Sequence, residues 1–284
     1  MRKAICLFVL FFSTVLVSQL DHPKASPAAM VAQEVGFATI KIDYSRPATR
    51  GRKIFGDLVP YGRIWRVGAN ESTKISVDTE VAVSGNKLPA GTYALYAFPE
   101  EDEWEIVFHN NTSHWGDGRK KYNPEEDAFR IIVQPQETQS YQENFLIAFD
   151  SISHNTATLV LHWAQTKITI PITVDTHDNM ERQIEERLSH QAKPQTYYEA
   201  ARYYVEQGMK YETALVYLNK AIELGGDTYY FHRVKSLAEA QLGDYKAAIK
   251  SAEKSLEIAQ TQDKDEFVRM NRKNIDLWKT KLKK

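Results

Sequence analysis

Along the first half of the chain, apolar residues fall at every second position, the period of strands with one buried face. Ala38, Ile40, Ile42 and Tyr44 alternate with Thr39, Lys41 and Asp43; later Ile168, Ile170, Ile172 and Val174 alternate with Lys167, Thr169, Pro171 and Thr173. Between them the pattern predicts strands near 73–78, 80–84, 91–98, 103–109, 128–134, 143–150 and 156–163, with a hairpin turn at Ser84-Gly85-Asn86. Tyr93, Leu95 and Ala97 interleave with Ala94, Tyr96 and Phe98, so 91–98 is expected to be central and covered on both faces. Pro171 has no N–H to give a ladder, which makes the last strand an expected edge. Short strands with no helical segment among them predict an antiparallel β-sandwich over 34–176.

After Val174 the period lengthens. Asp178 and Glu181 have capping-box spacing, and Met180, Ile184 and Leu188 follow at four-residue intervals, predicting a connecting helix within 177–192. Pro194 suits the first turn of the next helix. From there the pattern predicts helices near 194–207, 210–224, 228–241, 244–260 and 263–282, in a helical domain over 193–284. The fold class expected is therefore α+β in two segregated domains, a sandwich followed by a short α-helical solenoid.

Tyr211 and Tyr245 are 34 residues apart, as are Ala214 and Ala248, and the turn glycines Gly208 and Gly243 are 35 apart. A helix–turn–helix recurring at this period resembles tetratricopeptide repeats. Tyr197, Ala201, Tyr204, Gly208, Tyr211, Ala214 and Ala221 carry the first copy. The second keeps Gly243, Asp244, Tyr245 and Ala248 but has His232 and Ser236 earlier, and Phe267, Met270, Asn274 and Trp278 are expected to cap the stack. The resemblance implies a groove that holds a protein or peptide partner.

The N-terminus carries an address. Arg2 and Lys3 precede an apolar run from Ala4 to Val17, too short to span a bilayer, and Ser18 is placed for cleavage, so 1–18 is expected to be a signal peptide and 19–33 a flexible tether. With Arg2, Lys3 and Cys6 gone, 34 basic residues face 37 acidic ones, for a net charge of −3. No cysteine remains, which removes disulfides, thiolate nucleophiles and cysteine-held zinc, and no transmembrane segment is expected in the mature chain. The absence of a basic excess argues against nucleic acid as a partner.

Charge is unevenly spread. Five of the 14 arginines fall between Arg46 and Arg66, with Asp57 the only acid among them. A long Gly-, Pro- and Trp-bearing connection between strands is where a β-scaffold carries function, and the guanidinium fork suits carboxylate or phosphate. Arg46, Arg50, Arg52 and Arg66 are candidate anion contacts, and Asn70 and Glu71 could orient a ligand or supply a base. The alternative is structural: the same arginines pair with Asp43, Asp57 or Glu71 and cover the sandwich end with their stems.

The run from Tyr44-Ser45-Arg46-Pro47 through Gly51-Arg52-Lys53-Ile54-Phe55-Gly56, Leu58-Val59-Pro60-Tyr61-Gly62 and Trp65-Arg66-Val67-Gly68-Ala69-Asn70-Glu71, with Leu88-Pro89-Ala90-Gly91-Thr92-Tyr93 and His114-Trp115-Gly116, closely resembles the bacterial Domain of Unknown Function 2911 over about 34–175. The resemblance implies a secreted bacterial protein, often with helical repeats appended, and brings no activity; taken with the signal peptide, the expected location is the periplasm or cell envelope.

Other constellations carry less. His109 and His114 could clip a metal with Asp117 or Glu71, but nothing in the spacing indicates a converging third ligand, so neither metal nor cofactor is expected. Trp115 could offer its face to a sugar ring or plug the sandwich end. Nucleophile-elbow, phosphate-loop, dinucleotide and zinc-protease motifs are all missing. The leading expectation is an exported, non-enzymatic binding or scaffold protein: the repeats hold a protein partner, and the arginine loop, with Trp115, an anionic or glycan ligand. The alternatives are an envelope hydrolase of glycan or ester with Glu71 as base, and a purely structural β-domain.

Overall fold

Ten strands, with one short 3-10 turn (Pro124–Glu126) among them, precede six α-helices in the computed structural model, which describes residues 22–116 and 118–283. The chain divides into two compact units between Thr176 and His177. The expected signal peptide, Cys6 and Asp117 lie outside the described residues.

The first unit is built from β1 (Ala28–Val35), β2 (Ala38–Ser45), β3 (Thr73–Val77), β4 (Val81–Val83), β5 (Asn86–Leu88), β6 (Gly91–Pro99), β7 (Trp104–His109), β8 (Asp127–Val133), β9 (Gln136–Asp150) and β10 (Thr156–Thr173). One antiparallel sheet has the order β1-β2-β3-β6-β7-β8 and the other β5-β4-β10-β9. Their inner faces share one core, to which β2 gives Ala38, Ile40 and Ile42, β6 gives Tyr93, Leu95 and Ala97, and β10 gives Leu159, Leu161 and Trp163. The other face of β6 is covered as well: Ala94 and Tyr96 form a second buried cluster with Val107, against which Ile64, Phe98 and Tyr122 pack. This is the two-faced central strand that the interleaved sequence calls for.

Four expectations need correction. Residues 28–33 are not tether but most of β1, which pairs with β2 through Val35↔Ala38 to Ala28↔Ser45. Apart from exposed Met30 and buried Val35, its apolar residues are alanines and one half-buried valine, as suits an edge strand, so its alternation is faint in the sequence. The two strands expected at 156–163 and 167–174 are one, β10, with irregular register between His162 and Thr166. That strand is not an edge. It lies between β4 and β9, but pairing with β9 ends at Lys167, so no ladder bond on that side is asked of Pro171, whose carbonyl accepts from Ser84 N–H at 2.9 Å. Finally, the first helix already begins at Thr176, so Asp178 lies within its first turn rather than at its N-cap. The Thr176 hydroxyl instead donates to the His154 carbonyl at 2.6 Å, in the space where a Cβ on Gly36 would sit.

The second unit consists of α1 (Thr176–Ser189, whose first residue belongs to the first unit), α2 (Pro194–Glu206), α3 (Tyr211–Glu223), α4 (Tyr229–Gln241), α5 (Tyr245–Thr261) and α6 (Asp265–Lys281). From α2 onward each helix packs on the next, and α4 also touches α2 and α6. Fully buried alanines, Ala201, Ala214, Ala221, Ala248 and Ala252, let the helices approach closely. Ile275 and Trp278 on α6 bury themselves against α5, as expected of a cap for Trp278, whereas Asn271 rather than Asn274 is the buried asparagine and donates to Ser255 Oγ at 2.7 Å. No helix among the described residues is long and apolar enough to cross a membrane.

Candidate functional site

The segment 44–71 has little regular structure because its apolar residues point into the core while its backbone borrows partners from the strands. Ile54, Val59, Trp65 and Val67 are buried. Beyond the start of β3, where Thr73 lies opposite Leu95, Trp65 takes the ladder position beside β6, exchanging both backbone hydrogen bonds with Ala97 at 2.8 and 2.9 Å. Its ring stacks on Trp163 at 6.0 Å and meets Phe145 at 5.3 Å, and its indole N–H donates to the Gly68 carbonyl at 3.1 Å. The chain then turns through positive φ at Val67 (51°), Gly68 (145°) and Asn70 (61°). A β-branched residue rarely adopts that conformation, and here the burial of Val67 and a bond from Thr73 Oγ1 to its carbonyl at 2.5 Å hold it.

The candidate ligand contacts separate into two groups. Arg46 donates through Nε to the Phe145 carbonyl at 2.9 Å. Arg50 gives its backbone N–H to Glu143 at 2.9 Å and its guanidinium to the Ala25 carbonyl at 3.3 Å. Asn70 donates to the Ser26 carbonyl at 3.0 Å and Ser45 Oγ at 3.2 Å. Glu71 is exposed and paired with Lys74 at 3.0 Å. These four fasten the loop to β2, β3, β9 and the N-terminal segment, but not through the expected arginine pairs: the guanidinium partners are carbonyls, Asp43 pairs with Lys41, and Glu71 with Lys74. Around Glu143 the carboxyl is held below its ordinary range, first by the Thr49 hydroxyl bond, then by the Arg50 N–H, with the charges of Arg50 and Arg52 adding.

Arg52 and Arg66 are different. Together with Arg63 and Arg119 they line one pocket of about 280 Å³, walled by Pro47, Leu58, Val59, Ile64, Trp65 and Trp163, and no carboxylate lines it among the described residues. The Arg52 guanidinium donates to the carbonyls of Thr49 and Ala48 at 2.8 and 2.7 Å, and Arg66 to that of Asn70 at 2.9 Å. Carbonyl oxygens orient a guanidinium without cancelling its charge. Gly116 lies against Arg66: a Cβ there would come within 3.3 Å of Nη1. Arg119 also lines a neighbouring hollow with Trp115, Lys120 and Lys121. Trp115 is 76% exposed, so it offers a bare ring rather than plugging the sandwich, while its backbone bridges to Glu71. Arg63 and Arg119 line the pocket without being among the expected ligand contacts: nothing in the order of residues sets Arg63 apart from its neighbours, and Arg119 sits in another segment.

The loop that carries Trp115 also carries His114, and here the structure brings in a third side chain that the spacing does not show. Glu126, brought next to His109 by the pairing of β7 with β8, completes a group with His109 and His114 whose ligand atoms all lie within 4.8 Å of one another. His109 is fully buried and His114 7% exposed. His109 Nδ1 lies 2.8 Å from Asp127, which also accepts from Tyr122 at 2.8 Å and Arg130 at 2.7 Å. Burial and the bond to Asp127 push the Tyr122 phenol well above its ordinary pKa.

No curated protein matches the chain. A model for a family described as a protein of unknown function matches residues 26–172, beginning two residues before β1 and ending one residue before the end of β10, so that it spans both sheets, the arginine pocket and the histidine group. Over that half of its length the chain belongs to the DUF2911 family.

Proposed function

We propose that this is an exported binding protein of the bacterial envelope whose β-unit takes an anionic, sugar-bearing ligand and whose helical unit holds a protein partner. The observation that carries the reading is the convergence of Arg52, Arg63, Arg66 and Arg119 on one pocket with no acid in its lining among the described residues. A low-dielectric wall of Trp65 and Trp163 behind such charges strengthens their pull on an anion. The bare ring of Trp115, in a hollow that shares Arg119, suits the face of a sugar ring next to the anionic group. The address rests on the charged and apolar pattern of residues 1–18, and the partner on the 34-residue recurrence, which resembles tetratricopeptide repeats, together with consecutive helix packing.

The test is thermal unfolding of the purified chain against inorganic phosphate, sugar phosphates, uronic-acid oligosaccharides and neutral oligosaccharides. A ligand at a hundred times its dissociation constant stabilises by about 2.7 kcal/mol, a shift of several degrees. The acidic sugars are expected to raise the midpoint and the neutral ones not, with the response lost in Arg63→Ala and reduced in Trp115→Ala. Equal responses to neutral and acidic sugars, or none to any, would sink the anion reading.

A further inference from the structure

We infer that His109, His114 and Glu126 form a site for one divalent transition-metal ion of the zinc type, independent of the arginine pocket. The spacing is already close to that of a bound ion. Tetrahedral bonds of about 2.1 Å put ligand atoms roughly 3.4 Å apart, and His109 Nε2 stands 3.5 Å from Glu126 Oε2. The widest separation in the group is within 4.8 Å, which side-chain rotation of His114 and Glu126 can close.

Proton placement gives the second line of argument. The Asp127 carboxylate can only accept, so the 2.8 Å contact assigns the proton of His109 to Nδ1. The Nε2 lone pair is then the atom nearest Glu126, and two acceptors face each other without a donor between them. Neither His109 Nε2 nor His114 Nδ1 has a hydrogen-bond partner among the described residues, although both are buried. A proton on Nε2 would satisfy the pair with Glu126 but leave His114 as it is. One cation satisfies all three groups.

The surroundings have the form of a supporting shell for a metal. Asp127 holds the ring of His109 from behind and is itself fixed by Tyr122 and by Arg130. Asn111 Nδ2 lies 3.3 Å from both oxygens of Glu126, which sets the carboxylate's orientation. Gly118, at φ 66°, leaves room beside His114: a Cβ there would stand 3.4 Å from Nδ1 and 3.3 Å from Tyr96 Oη. Two imidazoles and a carboxylate are the donor set of an open zinc site, with a fourth position for water or an incoming ligand. Trp115 and Gly118, in the hollow shared with Arg119, belong to this same loop.

The test uses the full chain stripped with a chelator, dialysed, and titrated with Co²⁺ as a spectroscopic probe, with Zn²⁺ in competition. The expected result is one equivalent of Co²⁺ with visible absorption of four-coordinate intensity, displaced by Zn²⁺. Glu126→Gln and His114→Ala are each expected to weaken Co²⁺ at least tenfold while keeping the unfolding midpoint of the stripped wild type. Asp127→Asn is expected to weaken it by about 10- to 100-fold through the orientation of His109, and Arg63→Ala to leave it unchanged. Should His114→Ala fail to fold, Glu126→Gln decides alone, since its carboxylate is partly exposed. Absence of stoichiometric Co²⁺ binding, or binding that survives Glu126→Gln, would overturn the assignment.

Discussion

In 44–71 the polar side chains that look available to a ligand mostly end on backbone of their own fold, whereas in 109–127 two ring nitrogens are buried with no partner among the described residues. Both stretches are rich in charge, yet the second holds the greater unmet demand. A side chain's capacity to bind is set less by its type than by what remains once the fold has used it. Arg46 and Arg66 lie on one loop, and only the second keeps its charge beside an open pocket.

That contrast can be broken or sharpened by substitution. Trp65→Ala should cause the largest loss, about 3–5 kcal/mol by chemical denaturation, because it empties the contacts with Trp163, Phe145 and Trp104 on which the whole arginine loop is seated. Arg46→Ala is expected to cost about 1–3 kcal/mol by leaving the Phe145 carbonyl without its donor. A neutral outcome there would move Arg46 to the ligand group. Glu239 extends the criterion to the helical unit: its Oε2 is buried without a partner, and burial raises its pKa. A folded-state pKa above the unfolded one means that the protonated form suits the fold and that stability falls as pH rises through it. Glu239→Gln should therefore stabilise by about 1 kcal/mol at neutral pH, an advantage that disappears below the carboxylate range; the same gain at both pH values would point to packing instead. Arg63→Ala is the smallest, within about 0.5 kcal/mol of wild type in stability, and its whole effect should lie in the response to anions.

Much of the architecture is legible in residue order. The interleaving of Tyr93 to Phe98 marks a strand covered on both faces, and the helix positions from Pro194 onward follow from apolar spacing and turn glycines. What is not legible depends on partners distant in the chain. β1 shows only when Val35 is seen paired with Ala38, and the edge that Pro171 suggests for its whole strand is confined to the part of β10 beyond Lys167, where β9 has already ended at Gln136. The site follows the same rule. His109 and His114 are adjacent enough to notice, but Glu126 reaches them only through the β7–β8 pairing. Arg119 joins Arg63 and Arg66 only because both segments border one pocket.

The split pairing of β10 has a consequence for the order of assembly. The short hairpin of β4 and β5 reaches its sheet only through Ile172 and Thr173, at the far end of β10, while the near end of β10 pairs with β9. A chain emerging from the ribosome can assemble its six-stranded sheet early, but the opposite wall cannot close until residue 173 is out. Until then Val81, Val83 and Leu88 have no completed sheet to seat them against the core. So non-local a closure makes folding slow and leaves apolar surface open to misassociation while it waits. A chain halted at 165 would hold nearly every strand of the first unit and still be the species most in need of a chaperone.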